Sequence, residues 1–539
     1  MSDTLTTAAV MARFLAKAGI RHLFGYPGDP NIEFMEQARR EGIEFILARR
    51  EGTAALMAET YGQITGLPGV CVSTLGPGCT NVVNGVATAL LDRTPMLSIA
   101  GHTNTRFDSN FTHENVDQLR LFAPVTKWTS RMVPEAAGTI LRRAFRIAMA
   151  ERPGPVHLIT PSDVGKAQAS DSEIRLPPMS TASEMMQTFA VNGEHAGFAE
   201  LLKRSRRPAI LAGIGAIRTK AGDSIRTLAE RIGCPVVVSP KAKGIIPENH
   251  PYFAGTLDMA CPQVVWKLLE SSDLILAVGF DAVELIKPWP LEKPVLHIDT
   301  TPNTDQVYPA DVEIVGSIPA ILACLIPARG VEPRWTESEV RQHREALCSA
   351  YYSGRVSGKL NPTDVVDVVR DTLPQNTIVT TDVGSHKLLV GQGWPAYQPL
   401  SVLMSNGMSS MGFGLPSAMT AKLLHRDRPV VCFTGDGGMG MVQSELQLAS
   451  SLRLGLIVVV FCDNSLNRIE LKQMALKYPS SGTRFESTDL VKVAEGMGCN
   501  GVRVEQVGEL ARVLDNKAAL DRPLVIEAHI DPAQYQAQF

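Results

Sequence analysis

The chain has 539 residues, 45% of them apolar and 20% charged, with a formal net charge of −3. That length outgrows one hydrophobic core, so three or four domains are expected. No stretch approaches the roughly 20 apolar residues of a membrane helix, and without a long basic run there is no electrostatic footprint for nucleic acid. The 9 cysteines show no CxxC or zinc-like spacing, and no basic, apolar, small-residue leader opens the chain. Reduced thiols in a cytoplasmic protein with a small-molecule partner are the expectation.

Thr7–Ala18 has the period of an amphipathic helix. Val- and Ile-rich runs at Ile43–Ala48, Gly69–Thr74 and Met96–Ala100 alternate with helix-like Glu51–Thr65 and Asn81–Leu91, the pattern of βα repeats on a parallel sheet. They make up a first domain over 1–168, followed by an aperiodic linker at Ala169–Glu184. A second domain over 190–330 has strands at Ala209–Ala212, Pro235–Val238, Leu274–Val278 and Val295–Ile298. Its Gly213-Ile214-Gly215 suits either a nucleotide cradle or an ordinary turn, because no full GxGxxG follows. Past a charged stretch at Glu332–Arg344, a third domain over 356–539 has strands at Thr377–Thr381, Val430–Thr434 and Leu456–Cys462. The expected fold is α/β, three doubly wound parallel-sheet domains.

The chemistry concentrates after Val430. A strand enters Gly435-Asp436-Gly437-Gly438, a helical stretch follows, and a second strand ends at Cys462-Asp463-Asn464. Ligand crevices of open parallel sheets lie outside the strand C-terminal ends, so Asp436 and Asp463, one crossover apart, can converge. The glycines let backbone N–H groups approach an anion. A hard cation such as Mg2+, held by Asp436, Asp463 and the Ser465 carbonyl, would neutralise a diphosphate there. A GDG turn taken alone is equally an ordinary turn.

A GDG followed 27 positions after its Asp by an acidic or amide residue at a strand end resembles the thiamine diphosphate motif of the acetolactate synthase and pyruvate decarboxylase superfamily. FGYPG (24–28), RREGTAALMAETYGQITGLPGV (49–70), TLGPGCTN (74–81), TTDVGSH (380–386) and NGMSSMGFGLPSAM (406–419) extend the similarity over almost the whole chain. The resemblance implies thiamine diphosphate with Mg2+. It makes Glu51 the glutamate that activates the cofactor's aminopyrimidine, although a Glu in a first helical turn is by itself an ordinary dipole partner. It sets Ser409 and Met411 against the pyrimidine, Met411 as the wedge that bends the cofactor, and Gly384 and His386 against the diphosphate side. It also implies a homodimer or homotetramer, with the active site shared between subunits.

Other positions depart from the synthase pattern. Asp29, in GYPGDPN, is closer to the GDFN of decarboxylases and is a candidate for proton transfer. His113, in FTHEN, is a second acid–base candidate, and Glu470 lies near a decarboxylase glutamate, one residue out of register. Arg468 is placed to pair with a substrate anion. VGFDAVELIKPWP (278–290) replaces the arginine-containing segment of flavin-binding synthases, so FAD is not expected. The leading expectation is carboligation of acetolactate type, in which a 2-oxo acid such as pyruvate is decarboxylated and its remaining unit joined to a second carbonyl. The alternatives are a non-ligating 2-oxo acid decarboxylase, a carboxyethylarginine synthase-like enzyme that handles a triose phosphate, and a cofactor-binding protein without turnover.

Overall fold

The computed structural model describes residues 5–172, 174–177, 196–326, 332–515 and 520–539. Half of the expected linker at Ala169–Glu184, the start of the second domain at 190 and its end at 327–330 lie outside the described residues. Three six-stranded sheets follow one another along the chain, and every pairing in them is parallel.

The first sheet contains β1 (His22–Gly25), β2 (Glu44–Leu47), β3 (Gly69–Ser73), β4 (Met96–His102), β5 (Trp128–Arg131) and β6 (Pro155–Pro161), in the order β2-β1-β3-β4-β6-β5. The second contains β7 (Pro208–Ala212), β8 (Val236–Val238), β9 (Phe253–Thr256), β10 (Leu274–Val278), β11 (Val295–Asp299) and β12 (Val312–Val315), in the order β12-β11-β10-β7-β8-β9. The third contains β13 (Ile378–Thr381), β14 (Val402–Met404), β15 (Val430–Gly435), β16 (Ile457–Cys462), β17 (Asn500–Val504) and β18 (Leu524–His529), in the order β14-β13-β15-β16-β18-β17. The expected α/β architecture of three doubly wound parallel sheets is therefore what the chain adopts.

Central strands such as β7, β10 and β16 are apolar and buried along their whole length, as a sheet covered on both faces requires. Edge strands β2, β12 and β17 are short and partly exposed; β2 lies within the expected run Ile43–Ala48, while the composition of β12 and β17 gives little signal. The charged stretch near 332–344 is largely the start of a helix, Glu337–Tyr351. A Thr336/Glu339 capping box opens it, and Val340, Leu347 and Tyr351 are its buried residues.

By compactness the chain divides into Met1–Thr181 with Met408–Leu424, and Ala182–Gly407 with His425–Phe539. Segment 408–424 follows the first two strands of the third sheet in sequence, yet it packs in the first unit. Its helix Gly414–Leu424 lies along helix Glu51–Thr65, where Thr420 Oγ1 donates to the Met57 carbonyl at 3.3 Å. Ala418 and Ala421 on one helix and Ala54, Ala55 and Ala58 on the other are buried, and small side chains allow such close approach.

Truncating fully buried Leu211 on β7 to Ala is expected to cost about 2–5 kcal/mol. Leu476→Ala, at a residue 64% exposed, should stay within about 0.5 kcal/mol. Urea midpoints of the unit that holds both residues check the difference.

Candidate functional site

In the third sheet the strand order reverses between β13 and β15, the switch point where an open α/β sheet forms its crevice. The residues beyond those two ends pack tightly. A Cβ added to Gly438 would lie 3.0 Å from Oδ2 of Asp382, and one on Gly435 would lie 3.2 Å from Cε1 of His386. A Cβ on Gly384 would come within 2.6 Å of the same His386 carbon. His386 is buried and stacked on Phe461 with centroids 5.5 Å apart. Burial holds its pKa down to about 3 while the ring hydrogen-bonds the Asp382 backbone. The imidazole is therefore neutral, and its Nε2 has no partner among the described residues. A buried polar atom left so costs about 1–3 kcal/mol, which a ligand reaching it would recover.

Asp436 and Asp463 terminate the adjacent strands β15 and β16. Oδ2 of Asp436 accepts the N–H groups of Asp463 at 3.1 Å and Asn464 at 2.7 Å, and Oδ1 accepts that of Gly437 at 2.8 Å. Asp463 Oδ1 accepts the Ser465 N–H at 3.2 Å. Burial, and then the charge of Asp436, push the Asp463 carboxyl up to about 7. Asp436 is also raised, by burial. The bridge between Ser465 and Arg484 forms its hydrogen bonds through the Asn464 carbonyl and the Leu466 N–H, on either side of Ser465. Among the described residues no group of three His, Cys, Asp or Glu side chains converges on a metal position, as expected for a set of two carboxylates and a carbonyl. Two buried carboxylates, one of which raises the pKa of the other, near a neutral imidazole whose Nε2 has no partner among the described residues, fit a hard cation carrying an anionic group.

In the first unit Glu51 opens helix Glu51–Thr65 just past β2, and its Oε2 accepts from Asn81 Nδ2 at 3.0 Å. A Cβ on Gly78 would stand 3.3 Å from Glu51 Oε1, so the TLGPGCTN turn is shaped around this carboxylate. Neighbouring Asn84 donates to Ser410 Oγ at 2.7 Å, which joins the Ser409–Met411 segment to the same helical layer. Ser409 at φ 51° and Gly412 at φ 83°, on either side of Ser410 and Met411, are in left-handed backbone, a conformation that costs free energy at Ser409. Sequence reasoning passed over Asn81, Asn84 and Asp382 as individual residues, although Asn81 and Asp382 lie inside motifs it had singled out.

Asp29 is exposed in a short 3-10 turn, Asp29–Asn31. The turn is pinned to β3 by Asn31 Nδ2 donating to the Ser73 carbonyl at 2.7 Å. His113 is exposed in a loop, edge-on to Phe111 at 6.1 Å, and the next helix begins only at Gln118. Glu470 is buried. Its Oε2 accepts from Ser465 Oγ at 2.7 Å and its Oε1 from Arg484 Nε at 2.7 Å, and these partners hold its carboxyl below the usual range. Arg468 lies over the Phe539 ring at 4.8 Å. In the second sheet the order reverses between β7 and β10. There the buried Glu284 carboxylate accepts the Ile214 N–H at 3.0 Å, the Asp281 N–H at 3.0 Å and the Ser239 hydroxyl. A side chain of the chain itself thus holds the N–H that the Gly213-Ile214-Gly215 cradle would offer to a phosphate.

Sequence models of the thiamine pyrophosphate enzymes match three segments: the N-terminal TPP binding domain at 5–121, the central domain at 196–325 and the C-terminal TPP binding domain at 382–528. The chain is 30% identical to a probable acetolactate synthase large subunit of Methanocaldococcus jannaschii, over 98% of this chain and 92% of that protein. It is 28% identical to an acetolactate synthase of Bacillus subtilis, over 97% and 93%, and 28% identical to the acetolactate synthase isozyme 1 large subunit of Escherichia coli, over 98% and 94%.

Because folding raises the Asp463 pKa from the ordinary 3.8 to about 7, the stability this group contributes is fully present below its unfolded pKa and is lost as pH rises through about 7. A divalent cation needs the ionised form and reverses the trend. The melting midpoint of cation-free protein should fall between about pH 5 and about pH 8, and Mg2+ should raise it more at the higher pH. Asp436→Asn should flatten both dependences in a thermal-shift titration.

Proposed function

Since the chain belongs to the thiamine pyrophosphate enzyme family, in its acetolactate synthase-like branch, we propose that it decarboxylates a 2-oxo acid such as pyruvate and transfers the remaining unit to a second carbonyl compound. The carrying observation is the Asp436–Asp463 pair at the ends of β15 and β16, beside the switch point of the third sheet, where the charge of buried Asp436 adds to burial in raising Asp463 and favours a hard cation. Bound thiamine diphosphate supplies an electron sink that lets the 2-oxo acid lose carbon dioxide and its acyl carbon act as a nucleophile. Asp436, Asp463 and the Ser465 carbonyl hold Mg2+ in this reading, and the glycines at 435, 437 and 438 admit the diphosphate. His386 turns Nε2 to a phosphate oxygen, whose charge offsets the burial penalty and draws a proton onto the ring. Gly384 keeps that approach open.

Glu51, oriented by Asn81, holds a proton at the pyrimidine ring nitrogen, and Ser409 and Met411 position that ring. Asp29 and His113, both exposed on the first unit, move protons at the substrate. Glu470 serves from the Ser465 side, where the same serine ties it to the metal loop. Glu284 filling the second-sheet crevice supports function without FAD. No described helix is long and apolar enough to cross a membrane, and the nine free cysteines suit a reducing cytoplasm. Homodimers or homotetramers, with Glu51 and the metal loop supplied by different subunits, complete the reading. Asp29 also keeps a second reading in play, a decarboxylase that releases an aldehyde.

Mass spectrometry of products from pyruvate and longer 2-oxo acids separates the two. Acetolactate-type products are expected, and aldehyde alone would remove the ligase reading. Glu51→Gln should keep cofactor affinity within severalfold and lower kcat by roughly 100-fold or more. Near wild-type turnover in that variant would overturn the role given to Glu51.

A further inference from the structure

Beyond the residues already given roles, the first unit holds an ionic cluster at the C-terminal ends of β4 and β5. Arg131, the last residue of β5, pairs through Nη1 with Oδ2 of Asp108, and its Nη2 lies 3.4 Å from Nε2 of His102, the last residue of β4. Asp108 Oδ1 stands 3.5 Å from His102 Nδ1, which hydrogen-bonds the Thr103 hydroxyl at 3.0 Å. His102 is buried, and the Arg131 and Asp108 side chains are 36% and 28% exposed. The pair is therefore shielded more than a surface ion pair, and its partners are spread over two strands and a loop.

That loop, 103–117, carries His113. Thr105 anchors its start, donating through its N–H and hydroxyl to Asp163 at 3.0 and 2.5 Å. At the far end Asn115 Nδ2 donates to the Phe111 carbonyl at 3.1 Å, a bond within the loop. Glu114, at φ 54°, lies where a Cβ on Gly76 would come within 2.7 Å of its own Cβ. Between these ends Phe107 and Phe111 stand 48% and 45% exposed, so apolar burial contributes little to holding the span. Asp108 ties the span to the ends of β4 and β5 through Arg131 and His102.

We propose that Arg131 is a positioning residue for the substrate step: by clamping Asp108, with His102 orienting the guanidinium, it fixes the 103–117 loop and hence where His113 and Phe111 stand. The proposal rests on the reading of His113 as a substrate-side group. Misplacement of a reacting group by about 1 Å costs up to roughly 100-fold, so releasing the tether acts on substrate use without touching the cofactor site.

The test uses holoenzyme with thiamine diphosphate and Mg2+, comparing Arg131→Met, Asp108→Asn, the double variant and Arg131→Lys. Hydrogen exchange across 103–117 should speed up in both single variants. kcat/KM for the 2-oxo acid should fall roughly tenfold in each single variant, chiefly through kcat, and no further in the double, with cofactor affinity and melting midpoint close to wild type. Arg131→Lys, which keeps the charge, should restore part of the loss. Unchanged exchange in Asp108→Asn, or kcat/KM losses that multiply in the double variant, would overturn the clamp. If no 2-oxo acid is turned over at all, the activity reading fails while the exchange data still decide the clamp.

Discussion

Two carboxylates on neighbouring strands of a buried parallel sheet cannot both remain ionised at low cost, and much of the site is arranged around that repulsion. Asp436 is held by three backbone N–H groups from its own turn and from the end of β16, which fix its position without neutralising Asp463. The charge of Asp436 therefore still acts on Asp463, whose carboxyl it helps to raise. A parallel sheet makes this possible because β15 and β16 run side by side, with Gly435 opposite Phe461, and so deliver successive strand ends to one edge. The apolar run of β16, Ile-Val-Val-Val-Phe-Cys, is buried throughout and gives the aspartates a rigid base.

The same topology recurs three times with different outcomes at the switch point. In the third sheet glycines stand at the switch point and the buried imidazole of His386 has an Nε2 without a partner among the described residues. The second sheet closes its own crevice with Glu284, whose pKa burial raises to about 7 even with several hydrogen bonds to the carboxylate. At the first sheet the reversal falls between β1 and β3, where Asn31 ties the turn that carries Asp29 to Ser73. One architecture thus carries three different settings at its switch points, according to which side chains stand at the strand ends.

The polar networks of the first unit share one logic. Glu51 is steered by Asn81, Ser410 by Asn84, and Asp108 by Arg131 and His102. Each is a short-range device that fixes a side chain near a strand end. Placing such groups on helices and strand termini gives a precision that the intervening loops alone would lack.

What the sequence determined by itself was whatever depends on local pattern. The apolar runs of β3, β7, β10 and β16 and the helix Glu51–Thr65 announce themselves because burial on both faces, or a helical period, leaves a continuous signature. The spacing of Asp436 and Asp463 was legible because one βαβ unit fixes which strand ends lie together. Edge strands β12 and β17 were not legible, since short half-exposed segments carry mixed composition, and β5 reads as Trp-Thr-Ser-Arg with no alternation, whereas edge strand β2 falls within the expected run Ile43–Ala48. Only the tertiary structure decided that 408–424 packs with the first unit, that Glu284 fills the second crevice, that Glu470 is bound to Ser465 and Arg484, and that Asp108 meets Arg131 and His102. Each of these is a contact between residues distant in sequence or around a turn, set by packing and electrostatics that no local period encodes.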